Sequence, residues 1–194
     1  VLDAVRELKL DSRTLVIFTS DNGGTPRAVN TPLRGFKGST LEGGMRVPTI
    51  AWWPGNIPAS TQTDEITAML DILPTFASLA GAALPSARID GGNLWPVLSG
   101  EAGAKSPHAE QFYFYHGLNL QAVRSGPWKL QMAGGDGGKQ NGGKGKKAKA
   151  APAAPGPRLY NLDSDIGESK DVSAGHPEVV AKLQALIDLA KNDL

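Results

Sequence analysis

Hydrophobic positions along the chain form two kinds of segment. Val1, Val5 and Leu8, with Leu2 beside them, recur at helical spacing and predict an amphipathic helix at the start. A polar turn over 10–13 separates it from Thr14-Leu15-Val16-Ile17-Phe18-Thr19, an unbroken β-rich apolar run. A run without polar alternation predicts a strand buried on both faces, as in a parallel sheet. It stops at Ser20-Asp21-Asn22-Gly23-Gly24, which reads as a loop. A second apolar run, Thr49-Ile50-Ala51-Trp52-Trp53, predicts another strand, ended by Pro54-Gly55. The next helix is predicted around 71–80. Asp71 can cap it, Pro74 sits in its first turn, and Leu73, Ala77 and Ala80 form the stripe expected to be buried. Gly81 supplies the stop.

The pattern changes after a Gly- and Pro-rich stretch that reaches residue 110. Short β-type segments follow at 111–115, 120–124, 128–132 and 158–162. Ser125-Gly126-Pro127 makes a hairpin of the middle two. A last helix starts at Pro177-Glu178, with Val179, Leu183, Leu186, Ile187 and Ala190 on one face. The fold class predicted is α/β. Residues 1–110 read as the C-terminal part of an α/β domain, and 111–194 as a small antiparallel sheet with a C-terminal helix. Two predicted parallel-type strands do not make a doubly wound sheet, so the rest of that sheet is expected from elsewhere. The chain opens inside a helical pattern without an initiator methionine, and it is expected to be the C-terminal portion of a longer protein.

Composition narrows the function. The 194 residues carry 20 Lys+Arg against 19 Asp+Glu, a net charge of +1. That balance argues against a nucleic-acid-binding domain, which carries a basic excess. No apolar run approaches the roughly 20 residues of a membrane helix. With no cysteine there is no disulfide, no thiolate zinc site and no cysteine nucleophile among these residues. Residues 133–157, rich in Gly, Lys, Ala and Pro, cannot bury a core and read as a flexible insert. Its lysines, Lys144, Lys146, Lys147 and Lys149, could attract a polyanion or could be an ordinary solvated run.

Two stretches carry candidate chemistry. Asp21 and Asn22 stand where a buried strand ends, the place where ligands bind in open α/β sheets. One charged and one neutral oxygen donor suit a hard cation, Ca²⁺ or Mg²⁺, better than zinc or copper. Taken alone, Asp-Asn-Gly also reads as a turn. Further on, Lys37 sits between Gly35 and Gly38, where little bulk would keep it from an anionic ligand. Arg34 and Arg46 could add to that field, or Arg46 could pair with Glu42.

Together these stretches change the reading. An apolar strand, Ser20-Asp21-Asn22-Gly23, then Gly35-x-Lys37-Gly38-x-x-x-Glu42-Gly43-Gly44-x-Arg46-x-Pro48 resembles the sulfatase family of the alkaline-phosphatase-like superfamily. The resemblance continues through Asp71-Ile72-Leu73-Pro74-Thr75, Asp90-Gly91 and Leu98-Ser99-Gly100. It resumes at Ala122-Val123-Arg124-Ser125-Gly126-Pro127-Trp128-Lys129-Leu130, Leu159-Tyr160-Asn161-Leu162, and Asp165 with Gly167-Glu168.

The resemblance implies hydrolysis of sulfate esters, with small-molecule or carbohydrate sulfates as substrates. It implies a Ca²⁺ site in which Asp21 and Asn22 match two of four ligands, with Mg²⁺ as the alternative ion. Lys37 matches a lysine that contacts the sulfate group. Apart from the resemblance, His116 could line the substrate mouth, but a structural or surface histidine is the commoner case. The family's nucleophile is a formylglycine made in a Cys-x-Pro-x-Arg motif. This chain has neither that motif nor a serine version, so the nucleophile is expected upstream and these residues are expected to be inactive alone. The resemblance also implies a periplasmic or extracellular setting. Two other functions stay open: a phosphodiesterase or phosphonate monoester hydrolase on the same scaffold, and a non-catalytic polyanion-binding module.

Overall fold

A computed structural model describes residues 1–134 and 156–192. Most of the Gly/Lys/Ala/Pro stretch, with the lysines at 144–149, lies outside the described residues. The chain divides into two compact units. One is Val1–Asp21 with Pro48–Ala109; the other is Asn22–Val47 with Glu110–Leu194. The segment Asn22–Val47, which the hydrophobic pattern grouped with the first region, therefore packs with the second.

In the first unit, helix α1 (Leu2–Glu7) and a 3-10 turn (Asp11–Arg13) lead into strand β1 (Val16–Thr19). β1 pairs with β2 (Thr49–Trp52) in register Val16 to Trp52 and Thr19 to Thr49. The pairing is antiparallel, which corrects the expectation of parallel strands. Nor are both faces buried: Phe18 and Ile50, directly opposite each other, are 65% and 61% exposed. A continuous apolar run identified the strand but could not give the direction of its neighbour. The tryptophans pack locally. Trp52 lies under the Arg6 guanidinium at 5.3 Å. Trp53 donates to the Ser12 carbonyl and packs at a tilt, ring centres 5.4 Å apart, against Trp95, the first residue of helix α4 (Trp95–Leu98).

Helix α3 (Ile72–Ala80) starts and stops where its sequence signals place it. Gly81 takes φ 64°, the left-handed turn that an L side chain adopts at a cost. Its buried side is not the predicted one. Leu73 and Ala80 are exposed, while Asp71, Pro74 and Thr75 are buried. The reason is polar. The Asp71 carboxylate does not cap α3; it accepts from the Ala68 and Gly92 amides and lies 2.8 Å from His108 Nε2. Thr75 Oγ1 accepts from the Leu94 amide. These groups face the loops that cross beside them, because each loop N–H needs an acceptor once it leaves water.

The second unit is built on a four-stranded antiparallel sheet in sequential order. Its strands are β3 (Phe112–His116), β4 (Asn119–Ser125), β5 (Trp128–Gln131) and β6 (Arg158–Asn161). The predicted hairpin is present as β4–β5. Strand alternation gives the sheet two different faces. Val123, Leu130 and Leu159, aligned across three strands, pack against Leu183 and Ile187 of helix α5 (Pro177–Asn192), and all five are at most 1% exposed. The opposite face carries Phe114, Ala122, Lys129 and Tyr160, also buried. What covers that face is the segment Asn22–Val47.

Candidate functional site

Asn22–Val47 is an irregular chain with one short helix, α2 (Glu42–Met45), and most of its own contacts are backbone to backbone. The amide of Lys37 donates to the Gly24 carbonyl at 2.9 Å. The Gly23 amide donates to Gly44 at 2.9 Å, and the Gly43 amide to Arg34 at 2.7 Å. The stretch after Asn22, the turn bearing Lys37 and the first turn of α2 are thus tied into one knot. Glycines make it possible. A Cβ on Gly23 would strike the Gly43 carbonyl, and one on Gly43 would lie 2.6 Å from the Arg34 carbonyl oxygen. At both positions the main chain occupies the space a side chain would need.

The knot is anchored to the sheet by buried charge. Lys129 of β5, fully buried, donates to the Thr40 carbonyl at 2.8 Å and to Glu42 Oε1 at 2.9 Å. Its ammonium lies 2.9 Å from Glu168 Oε1 as an ion pair outside hydrogen-bond geometry, and 4.3 Å from the centre of the Phe114 ring. Glu168 Oε2 accepts from the Glu42 amide at 2.7 Å, satisfying an N–H at the start of α2. Arg46 Nε donates to Glu42 Oε2 at 3.0 Å. Two carboxylates face two cations, so the buried group is balanced. Glu168 itself sits at φ 52° in a turn that Asp165 holds by accepting from the Ser169 and Lys170 amides.

Burial alone would raise the Glu42 pKa. The Lys129 charge, with hydrogen bonds from Lys129 and Arg46, outweighs it and leaves the group below its ordinary 4.5. A carboxylate with a depressed folded pKa stabilises the fold above its unfolded value and loses that contribution as pH falls through the folded one. Unfolding of the protein should therefore steepen with acid below about pH 4.5. Glu42→Gln should flatten that limb in pH-dependent urea melts, and an unchanged limb would assign it elsewhere.

The sequence-predicted residues fall as follows. Asp21 ends the first unit, exposed, and Asn22 begins the second, half-buried. The Asn22–Gly24 stretch and Lys37 are brought together at the backbone, and the Lys37 side chain is exposed. His116 is exposed at the end of β3, opposite Asn119, and none of the bonds that tie the knot involves it. The two arginines are already engaged. Arg46 pairs with Glu42, while Arg34 lies 5.4 Å over the Tyr160 ring with Nη2 donating to its hydroxyl. Sequence reasoning missed Lys129, Glu168 and Asn30. Lys129 and Glu168 stand inside motif stretches as ordinary polar positions, and Asn30 lies in the unmarked span between two of them.

As metal ligands, Asp21 and Asn22 fit in kind and not in number. They offer a carboxylate and a carboxamide oxygen, while a Ca²⁺ site takes about 6–8 oxygens. Among the described residues no group of three or more His, Cys, Asp or Glu side chains is placed to hold a metal.

Comparison with known proteins gives the family. Residues 1–82 match the sulfatase family, and residues 106–194 match the C-terminal region of aryl-sulfatase. The chain is 36% identical to human (Homo sapiens) arylsulfatase A over 209 residues, covering 96% of this chain and 39% of that protein. It is 39% identical to the N-acetylgalactosamine-6-sulfatase of Canis lupus familiaris, over 68% of this chain and 26% of that protein. Among solved structures, PsFucS1 sulfatase from Pseudoalteromonas sp. superposes with a TM-score of 0.77 at 26% identity, over 98% of this chain and 40% of that one. Ps i-CgsB gives 0.74 at 31% identity, over 96% and 38%. The chain thus spans about two fifths of the relatives it matches along its whole length. With both family matches and this shared fold, the chain belongs to the sulfatase family.

Proposed function

We propose that this chain supplies the metal-side and cation-side residues of a sulfatase active site acting on sulfate esters. The observation that carries the reading is the backbone knot joining Asn22–Gly24 to Lys37. It puts a hard-oxygen donor and an ammonium-bearing turn on one scaffold.

In this reading Asp21 and Asn22 hold part of a Ca²⁺ site, the remaining ligands coming from outside this chain. The ion, when bound, supplies Lewis-acid stabilisation of sulfate oxygens. Lys37 places a fixed positive charge against the sulfate group, where negative charge grows as the ester bond breaks. Its exposed ammonium is held by a turn whose own amide is tied down, so little of the turn's freedom is lost when it engages an anion. His116 borders the approach of the alcohol portion. No residue of this chain fits the formylglycine position, since the sequence has neither a Cys-x-Pro-x-Arg nor a Ser-x-Pro-x-Arg motif, and no step is assigned to it. Sulfated carbohydrates are the substrate class favoured, because one relative is named for N-acetylgalactosamine-6-sulfate and Ps i-CgsB is described in complex with a neocarrahexaose. An extracytoplasmic setting goes with that chemistry. Among the described residues no helix is long and apolar enough to cross a membrane.

Two measurements test the reading. The 194-residue chain alone should release no sulfate from an aryl sulfate above background, and robust turnover would refute the division of labour. A chimaera whose preceding residues come from human arylsulfatase A should turn over aryl sulfates and prefer them to phosphate diesters. In it, Lys37→Ala should lower kcat roughly 10²–10³-fold, the usual effect of removing one electrostatic contact to a transition state. An active chimaera indifferent to Lys37→Ala would take the sulfate-binding role from that residue.

A further inference from the structure

Within the knot one side chain touches all three of its strands. Asn30 Nδ2 lies 3.2 Å from the Gly24 carbonyl oxygen, 2.9 Å from that of Gly35 and 3.0 Å from that of Gly43. These carbonyls belong to the stretch after Asn22, the turn before Lys37 and helix α2. The Gly24 carbonyl also accepts from the Lys37 amide, so a single oxygen receives both the staple and the residue it steadies. The fit is close. A Cβ on Gly24 would strike Asn30 Oδ1, and one on Gly44 would lie 2.6 Å from the Phe36 carbonyl oxygen. With the backbones packed so tightly, the two hydrogens of one N–H₂, one of them shared, can link three carbonyls, and Asn is the shortest side chain that carries such a group. An aspartate of the same shape would offer only oxygens to three carbonyl oxygens.

We propose that Asn30 is the positioning residue of this site, its carboxamide fixing where Lys37 stands relative to Asn22 by donating to Gly24, Gly35 and Gly43. The proposal rests on the sulfatase-site reading above and adds a residue that touches neither substrate nor metal. Asn30 acts through the backbone. Without its N–H₂ the three carbonyls repel one another, the Lys37 turn opens, and the backbone point from which the ammonium reaches is no longer fixed.

The test uses the chimaera completed with the preceding residues of human arylsulfatase A, its Asn30→Asp and Asn30→Ser variants, amide hydrogen exchange, and titration with inorganic sulfate in the presence of Ca²⁺ followed at the Lys37 and Asn22 amides. Asn30→Asp should speed exchange at Lys37 and Gly43 roughly tenfold or more, with the core amides of Leu130 and Leu159 unchanged. It should weaken sulfate binding by a similar factor. Asn30→Ser, which keeps one donor, should fall between the two. Loop amides as protected as in the wild type would overturn the proposal, and so would equal loss of protection at Leu130 and Leu159, which would make Asn30 a general structural residue. A wild type in which sulfate leaves Lys37 unmoved sinks the site reading and the proposal with it. A wild type that responds, beside an Asn30→Asp variant that responds equally, sinks the proposal alone.

Discussion

Lys129→Ala should destabilise the second unit by about 3–5 kcal/mol, the cost of removing one partner from a buried ionic group. The ammonium is fully buried and meets Glu42, Glu168 and the Thr40 carbonyl. Its loss leaves two carboxylates in a low-dielectric interior with Arg46 alone to answer them, and one of the two also secures the start of α2. Urea unfolding followed by far-UV circular dichroism reads the effect. The cause can be separated from lost volume. Lys129→Met combined with Glu42→Gln and Glu168→Gln keeps the shape and strands no charge, so it should recover a large part of the deficit. If Lys129→Ala costs under about 1 kcal/mol, water reaches these carboxylates and the anchor is not ionic.

Gly43→Ala should be nearly as damaging, for an entirely steric reason. The added methyl would lie 2.6 Å from the Arg34 carbonyl oxygen and closer still to that of Gly35, and neither is the end of a flexible side chain. Relief requires the main chain to part, which breaks the Gly43–Arg34 hydrogen bond and the packing that seats Gly23 on α2. Overpacking costs about 1–3 kcal/mol where side chains can yield, and more is expected here. Gly38→Ala is the control. Gly38 has φ 89° but open space around its Cβ position, so only the backbone preference is lost, about 1 kcal/mol. Hydrogen exchange at the Gly23 amide should rise sharply in Gly43→Ala and little in Gly38→Ala. Equal effects of the two would mean that the knot is looser than its distances suggest.

Both effects arise where Asn22–Val47 meets the sheet, a contact the chain's periodicity did not show. A strand or helix announces its buried face by repetition, and β4, β5, β6 and α5 were readable for that reason. Lys129 alternates with Trp128 and Leu130 as a solvent-facing residue would, yet it is buried, because a second layer covers that face. Local order cannot reveal a layer supplied from some ninety residues away, as the Thr40–Lys129 bond is. The Leu73 stripe on α3 failed in a related way: apolar spacing is symmetric with respect to which side is covered, and here polar groups took the covered side.

The sequence by itself determined the element types, the hairpin and the helix stops, and it marked Asp21, Asn22 and Lys37 as candidates by their chemistry. These follow from local sterics, side-chain chemistry and motif spacing, which need no distant partner. Tertiary structure alone decided that β1 and β2 run antiparallel, that residues 22–47 cover the sheet of the second unit, and that Asn30 and the Lys129 group hold the Lys37 turn. Those outcomes depend on which distant surfaces meet, and a buried charge or a shared carbonyl is favourable only once its partner has been brought beside it.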